Sequence, residues 1–247
     1  MAAPAGRRAV SNALPGYTSP MCGRYALDAP RSQLCRRFSL DQCVELAPRY
    51  NIAPGSEIPV IRQSPAGLRV LHLLRWGLLP QWAKDQSLGT TLINARGESL
   101  AAKPAFRDAF RRRRCLIPAS GFYEWRAAAT QGVTRKQPCY ISLKSAETMA
   151  LGGLWEAWTS PAGDVVRSCC IVTIGANQLL RPIHQRMPLI LPPEHWQAWL
   201  AAAADQVGML IQPLPGSELQ VWPVSHRVGK ATENDPALIE ACTGQPQ

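Results

Sequence analysis

Leu34 and Phe38 stand four residues apart in a polar stretch, and Phe106 and Phe110 repeat that spacing after Pro104. Residues 30–40 and 104–114 therefore read as short amphipathic helices. Most of the chain follows another pattern. Segments 58–61, 68–74, 115–117, 121–125, 140–143, 151–158 and 168–174 are rich in β-branched and aromatic residues and bounded by Gly, Pro or polar turns, as strands are. A Trp-bearing helix follows near 194–203, then a strand at 219–224 and a short helix near 236–241. Strands outnumber helices and do not alternate with them. The expected class is α+β, a single compact domain of largely antiparallel β-sheets with flanking short helices, not a Rossmann-type wind.

The 247 residues, 46% of them hydrophobic, suffice for one sizeable core. Charges, prolines or glycines interrupt every apolar stretch before the roughly 18 residues a membrane helix needs, so a soluble protein without membrane contact is expected. Residues 1–20 carry Arg7 and Arg8 and then a broken pattern with no apolar h-region, which is no secretory signal. They read as a disordered leader or as a start assigned too early, with Met21 as a normal start and 21–242 as the domain. The eight cysteines form no C-x-x-C pair and no zinc spacing, so free thiols in a reducing, cytoplasmic setting are expected, nucleoid-associated in a bacterium. No metal and no organic cofactor is called for. Charge is lopsided: residues 1–126 hold 19 Lys and Arg against 8 Asp and Glu, a net +11, and residues 127–247 hold 8 against 9, a net −1. A basic half of this kind attracts phosphate backbones, although membranes and acidic proteins attract it too.

Several short motifs carry possible chemistry. In Met21-Cys22-Gly23-Arg24, removal of the initiator Met before a small residue exposes Cys22 as a 1,2-aminothiol. Its amine forms a Schiff base with an aldehyde and its thiol closes a thiazolidine. An α-amine titrates near about 7.7–8.0, so neutral nucleophile is available at pH 7. Taken alone, the tripeptide reads better as a small hydrophobe in a first strand. Asn94, Arg96 and Glu98 fall two apart, and in an extended segment they share a face, either as an oxyanion donor and phosphate fork or as a strand end with a surface ion pair. Glu124 lies among three aromatics in GFYEW; burial there raises its pKa and makes it a proton carrier, whereas an outward face leaves it ordinary. His184 and Arg186 are in phase in IHQRMP, fit for proton shuttling and phosphate binding or for solvent. Trp76 and Trp82 flank a Gly/Pro-interrupted loop in the basic half, where exposed indoles stack on single-stranded bases, and core packing is expected for one of them. Arg111 to Arg114 ends a helix and reads as a solvated face.

The order of these motifs is more telling than any one of them: MCGRY, RYNIAPG, WGLLPQW, INARGE, PAF followed by RCLIPASGFYEW, IHQRMP, and PVSHRVG with NDPALIE. The series resembles the SOS-response-associated peptidase (SRAP) family of abasic-site-processing proteins over nearly all of residues 21–241. The resemblance implies a compact α+β domain that holds single-stranded DNA in a positive groove and joins an N-terminal cysteine to the ring-opened aldehyde of an abasic site, shielding it during the DNA damage response. It implies Cys22 as nucleophile, Asn94 positioning the sugar and new amine, Glu124 moving protons, and His184 opening the sugar. It places phosphates on Arg24, Arg96 and Arg186, and flanking bases near Trp76 and Trp82. A monomer acting on abasic single-stranded DNA is expected. The leader before Cys22 must be absent, cut off by a protease, or removed by autoproteolysis, as the peptidase label suggests. Two other classes remain: an N-terminal-nucleophile cysteine amidohydrolase, which also begins Met-Cys-Gly, and a non-covalent single-stranded DNA-binding module.

Overall fold

A computed structural model describes residues 22–42, 44–130 and 133–242. The leader expected over residues 1–20 lies outside the described residues. In chain order the strands are β1 (Tyr25–Leu27), β2 (Arg49–Ile52), β3 (Glu57–Gln63), β4 (Arg69–Trp76), β5 (Asn94–Arg96) and β6 (Arg114–Ala119). They continue with β7 (Gly121–Thr130), β8 (Val133–Leu143), β9 (Met149–Thr159), β10 (Val165–Gly175), β11 (Arg186–Pro188) and β12 (Leu219–Pro223). The α-helices are α1 (Arg31–Phe38), α2 (Arg107–Arg112) and α3 (Trp196–Ala201). Among described residues only β10–β4 and β10–β5 pair in parallel, so the fold is α+β with largely antiparallel sheets.

β3, β4, β10, β9 and β6 close into a barrel, because β9 pairs with both β6 and β10. Residues paired across a ladder share a face. Val60, Leu74, Trp76, Cys115, Cys169 and Ile171 therefore point into the barrel, each at most 1% exposed. α3 packs outside, where Trp199 Nε1–H donates to the Cys115 carbonyl at 2.9 Å. The second sheet runs β12-β8-β7-β1-β2, built on the long β7–β8 hairpin. Gly121 opens β7 beneath the Tyr140 ring; a Cβ there would lie 2.4 Å from Tyr140 Cζ, so only glycine lets the aromatic cover this strand.

The loop after β4 turns at Gly77, with φ +136° and a would-be Cβ 2.4 Å from the Gly89 carbonyl oxygen. Both backbones would have to part to admit a methyl group. Gly77→Ala is expected to destabilise the fold by about 2–5 kcal/mol, from left-handed strain plus overpacking, and urea unfolding measures it.

Two expectations need correction. The run Arg111 to Arg114 is not one solvated face. Arg111 and Arg112 are exposed, Arg113 pairs with buried Glu156, and Arg114, 5% exposed, spreads its guanidinium over the carbonyls of Phe110, Trp199 and Ala202. The helix dipole argument missed that β6 begins at Arg114 and draws its side chain inward. Nor are all the thiols free. Cys35 is disulfide-bonded, while Cys22, Cys115, Cys139, Cys169, Cys170 and Cys242 are free. No helix among the described residues is long and apolar enough to cross a membrane.

Candidate active site

β1 lies antiparallel to β7 with Tyr25 opposite Phe122, and Tyr123 N–H donates to the Arg24 carbonyl at 3.0 Å. Extending that ladder backward sets Gly23 opposite Glu124 and Cys22 one position further on. The backbone N–H of Cys22 donates to Glu124 Oε1 at 2.7 Å. Both residues are buried, and Cys22 adopts φ +47°, a left-handed conformation rare for a residue with a Cβ. Burial pushes the Glu124 pKa up to about 7, against weaker lowering by the Cys22 and Trp125 amides and by the Lys136 charge. The Cys22 thiol is driven well above its ordinary value, first by burial and then by the neighbouring carboxylate. It is therefore a protonated thiol at neutral pH.

In front of this pair opens a cleft of about 360 Å³ lined by Gly23, Arg24, Pro54, Ile93, Glu124, Trp125, Lys136 and His184. His184 Nδ1 accepts the Arg186 backbone N–H at 3.1 Å, which in the neutral ring assigns the proton to Nε2. Burial lowers the His184 pKa and the Lys136 and Arg186 charges add to that, against a raising contribution from the hydrogen bond with the Arg186 backbone. His184, which lines the cleft, is a neutral imidazole with its proton on Nε2. Among the described residues no group of three or more His, Cys, Asp or Glu is placed to hold a metal ion.

The other expected site residues divide. Arg24 lines the cleft and is braced by Asn51 Oδ1 at 3.1 Å and the Val228 carbonyl at 3.0 Å. Asn94 opens β5 directly after the cleft residue Ile93 and pairs in register with Ile171. Arg96 ends that strand, exposed. The extended phase expected of Asn94, Arg96 and Glu98 breaks there, because Gly97–Ser99 is a 3-10 turn. Glu98 instead receives a two-pronged ion pair from Arg186, both bonds 2.9 Å, so the guanidinium expected to hold a phosphate already carries a carboxylate. Trp76 is the core member of the indole pair: it is 0% exposed, donates Nε1–H to the Ile93 carbonyl at 2.9 Å and meets the Tyr25 ring edge-on. The base-stacking role expected of it is therefore corrected to a structural one, and Trp82, 58% exposed, keeps the open face.

Two residues were missed. Lys136 enters the cleft from β8, where nothing in the local sequence distinguishes it from a surface lysine. Asn51, inside RYNIAPG, sends its amide to the Val228, Lys230 and Glu233 carbonyls and so ties that motif to PVSHRVG. Both motifs belong to the series that carries the family resemblance, and that was the available signal.

A barrel flanked by a hairpin sheet, with a buried cysteine nitrogen held on a buried carboxylate, defines a cysteine-centred cleft of the SRAP type. The family model for SOS response associated peptidase (SRAP) matches residues 21–231, and the chain belongs to that family. The abasic site processing protein YoqW of Bacillus subtilis is 39% identical over 227 residues, covering 90% of this chain and 100% of the relative. The mouse abasic site processing protein HMCES is 27% identical over 270 residues, covering 89% and 75%. A crystal structure of a Bacteroides thetaiotaomicron protein superposes with a TM-score of 0.81 at 23% identity, over 90% of this chain and all of the other, which establishes the shared fold.

Proposed function

We propose that this protein captures abasic sites in single-stranded DNA by closing a thiazolidine between the Cys22 α-amine, the Cys22 thiol and the aldehyde of the opened sugar. The observation that carries this reading is the 2.7 Å contact between the Cys22 nitrogen and Glu124, at the floor of a cleft walled by Arg24, Lys136 and His184. The neutral His184 Nε2–H donates to the sugar oxygen and favours the open aldehyde. The Cys22 amine then adds to the aldehyde carbon and gives a carbinolamine. Protonated Glu124 gives its proton to the departing hydroxyl, water leaves, and an iminium remains. The Cys22 sulfur adds to the iminium carbon, the C=N π electrons return to nitrogen, and the thiol proton passes to the Glu124 carboxylate. One carboxyl group thus gives a proton and receives one back, which suits a pKa near the working pH.

This chemistry requires residue 22 to be first. Residues before Cys22 are therefore absent at capture, because translation starts at Met21, a protease cuts them off, or the chain removes them itself.

The test is a denaturing gel of protein beginning at Cys22 mixed with single-stranded DNA bearing one abasic site. A heat-stable adduct that Cys22→Ala loses is the expected result. Full non-covalent binding without any adduct overturns the covalent reading in favour of a binding module, and glutaminase turnover would point to an amidohydrolase. Trp82→Ala is expected to weaken single-stranded DNA binding by roughly 1–3 kcal/mol without changing the melting temperature, as measured by fluorescence anisotropy.

A further inference from the structure

The barrel end remote from Cys22 carries a second concentration of positive charge. The cleft lies where β4 ends at Trp76 and where β10 runs beside β5, next to Ile93. At the other end β3 finishes, β4 begins, β9 finishes and β10 begins. Arg62 and His72 face inward there, by register with Val70 and Val60. Trp155 and Arg167 share that face across β9 and β10, by register with Cys169 and Ala157. The Arg62 guanidinium lies 4.5 Å from the centre of the Trp155 ring, and its Nη2 donates to His72 Nε2 at 3.2 Å. Because a guanidinium only donates, that imidazole nitrogen is unprotonated and His72 is neutral.

Among the described residues no carboxylate forms an ion pair with Arg62 or Arg167. Arg62 Nε is buried without a hydrogen-bond partner. Arg62, partly desolvated over an indole, and Arg167 repel each other, and among the described residues neither has a counter-charge of its own. We propose that this far mouth of the barrel is an anion site for a phosphate group, held by Arg62 and Arg167 beside the Trp155 ring. Planar forks on two strands suit the oxygens of a phosphate monoester or diester. The site does not rest on the Cys22 chemistry, and the two can fail separately.

Burial lowers the His72 pKa, and the Arg62 and Arg167 charges lower it further. A bound phosphate offsets those charges, so occupancy raises the His72 titration midpoint. That response distinguishes binding here from binding in the cleft.

The experiment is calorimetric titration of the full chain with inorganic phosphate and, separately, with an undamaged single-stranded oligonucleotide, at fixed ionic strength. Wild type, Arg62→Gln, Arg167→Gln and Cys22→Ala are compared, with the His72 resonance followed by NMR. Phosphate affinity is expected to fall about tenfold in each arginine variant and to stay unchanged in Cys22→Ala. Arg167 is exposed, so its variant tests the site even if Arg62→Gln fails to fold. A parallel loss of oligonucleotide affinity identifies the source as a nucleic-acid backbone, and loss for inorganic phosphate alone identifies a free phosphorylated ligand. Absence of phosphate binding by the wild type, or phosphate binding that neither arginine variant weakens and that leaves His72 unmoved, overturns the site.

Discussion

Glu124→Gln should slow covalent capture of an abasic site by roughly 10²–10⁴-fold while leaving non-covalent DNA affinity nearly unchanged. The amide is isosteric and its Oε1 still accepts the Cys22 N–H, so geometry survives. It can neither protonate the departing hydroxyl nor take the thiol proton. The pH profile should change as well. Wild-type capture requires a protonated carboxyl, lost above about 7, and a neutral amine, gained through about 7.7–8.0; the two groups titrate as a coupled pair. The rate therefore peaks between those values and falls on both sides. In Glu124→Gln the alkaline fall disappears and only the rise of the amine limb remains. Stability moves the opposite way. Between the unfolded value near 4.5 and the folded value near 7 the native state holds a proton that the unfolded state has released, so stability declines as pH rises through that window. The neutral amide removes that decline. At pH 8, in the form whose Cys22 nitrogen is an amide, Glu124→Gln should be more stable than wild type by something on the order of 3 kcal/mol, measured by urea unfolding at pH 5 and pH 8.

Any species in which the Cys22 nitrogen is an amide should form no adduct at all. The lone pair of an amide nitrogen is delocalised into its carbonyl and cannot give an iminium. A chain that retains its leader, or one acetylated at Cys22, should therefore be inert toward abasic DNA even though Glu124, His184 and the basic cleft are unchanged. Restoring the free terminus by specific proteolysis should restore full reactivity. Equal adduct yield from the blocked form would place the covalent bond on a side chain elsewhere.

Long-period information was legible in the sequence and short elements were not. The segments at 58–61, 151–158 and 168–174 lie within strands because several β-branched or aromatic residues in a row pay little for an extended backbone and fill a barrel. β1, β2, β5 and β11 run only three or four residues, too short for a period to show, yet they place Cys22, Asn51, Asn94 and Arg186. Within the site, Glu124 was readable because three neighbouring aromatics implied burial, which its raised pKa reflects. Arg186 was not, because its partner Glu98 is 88 residues away. Trp76 and Trp82 look alike locally. Only the β4 register, which turns Trp76 into the barrel and ends before Trp82, tells them apart.

The most direct measurement is the intact mass of the adduct formed by protein beginning at Cys22, taken before and after borohydride treatment and followed by peptide mapping. A thiazolidine weighs the sum of protein and DNA less one water, resists reduction, and maps to Cys22. A mass that grows by two hydrogens on reduction indicates an open Schiff base, and an adduct that maps to any other residue contradicts the aminothiol account outright.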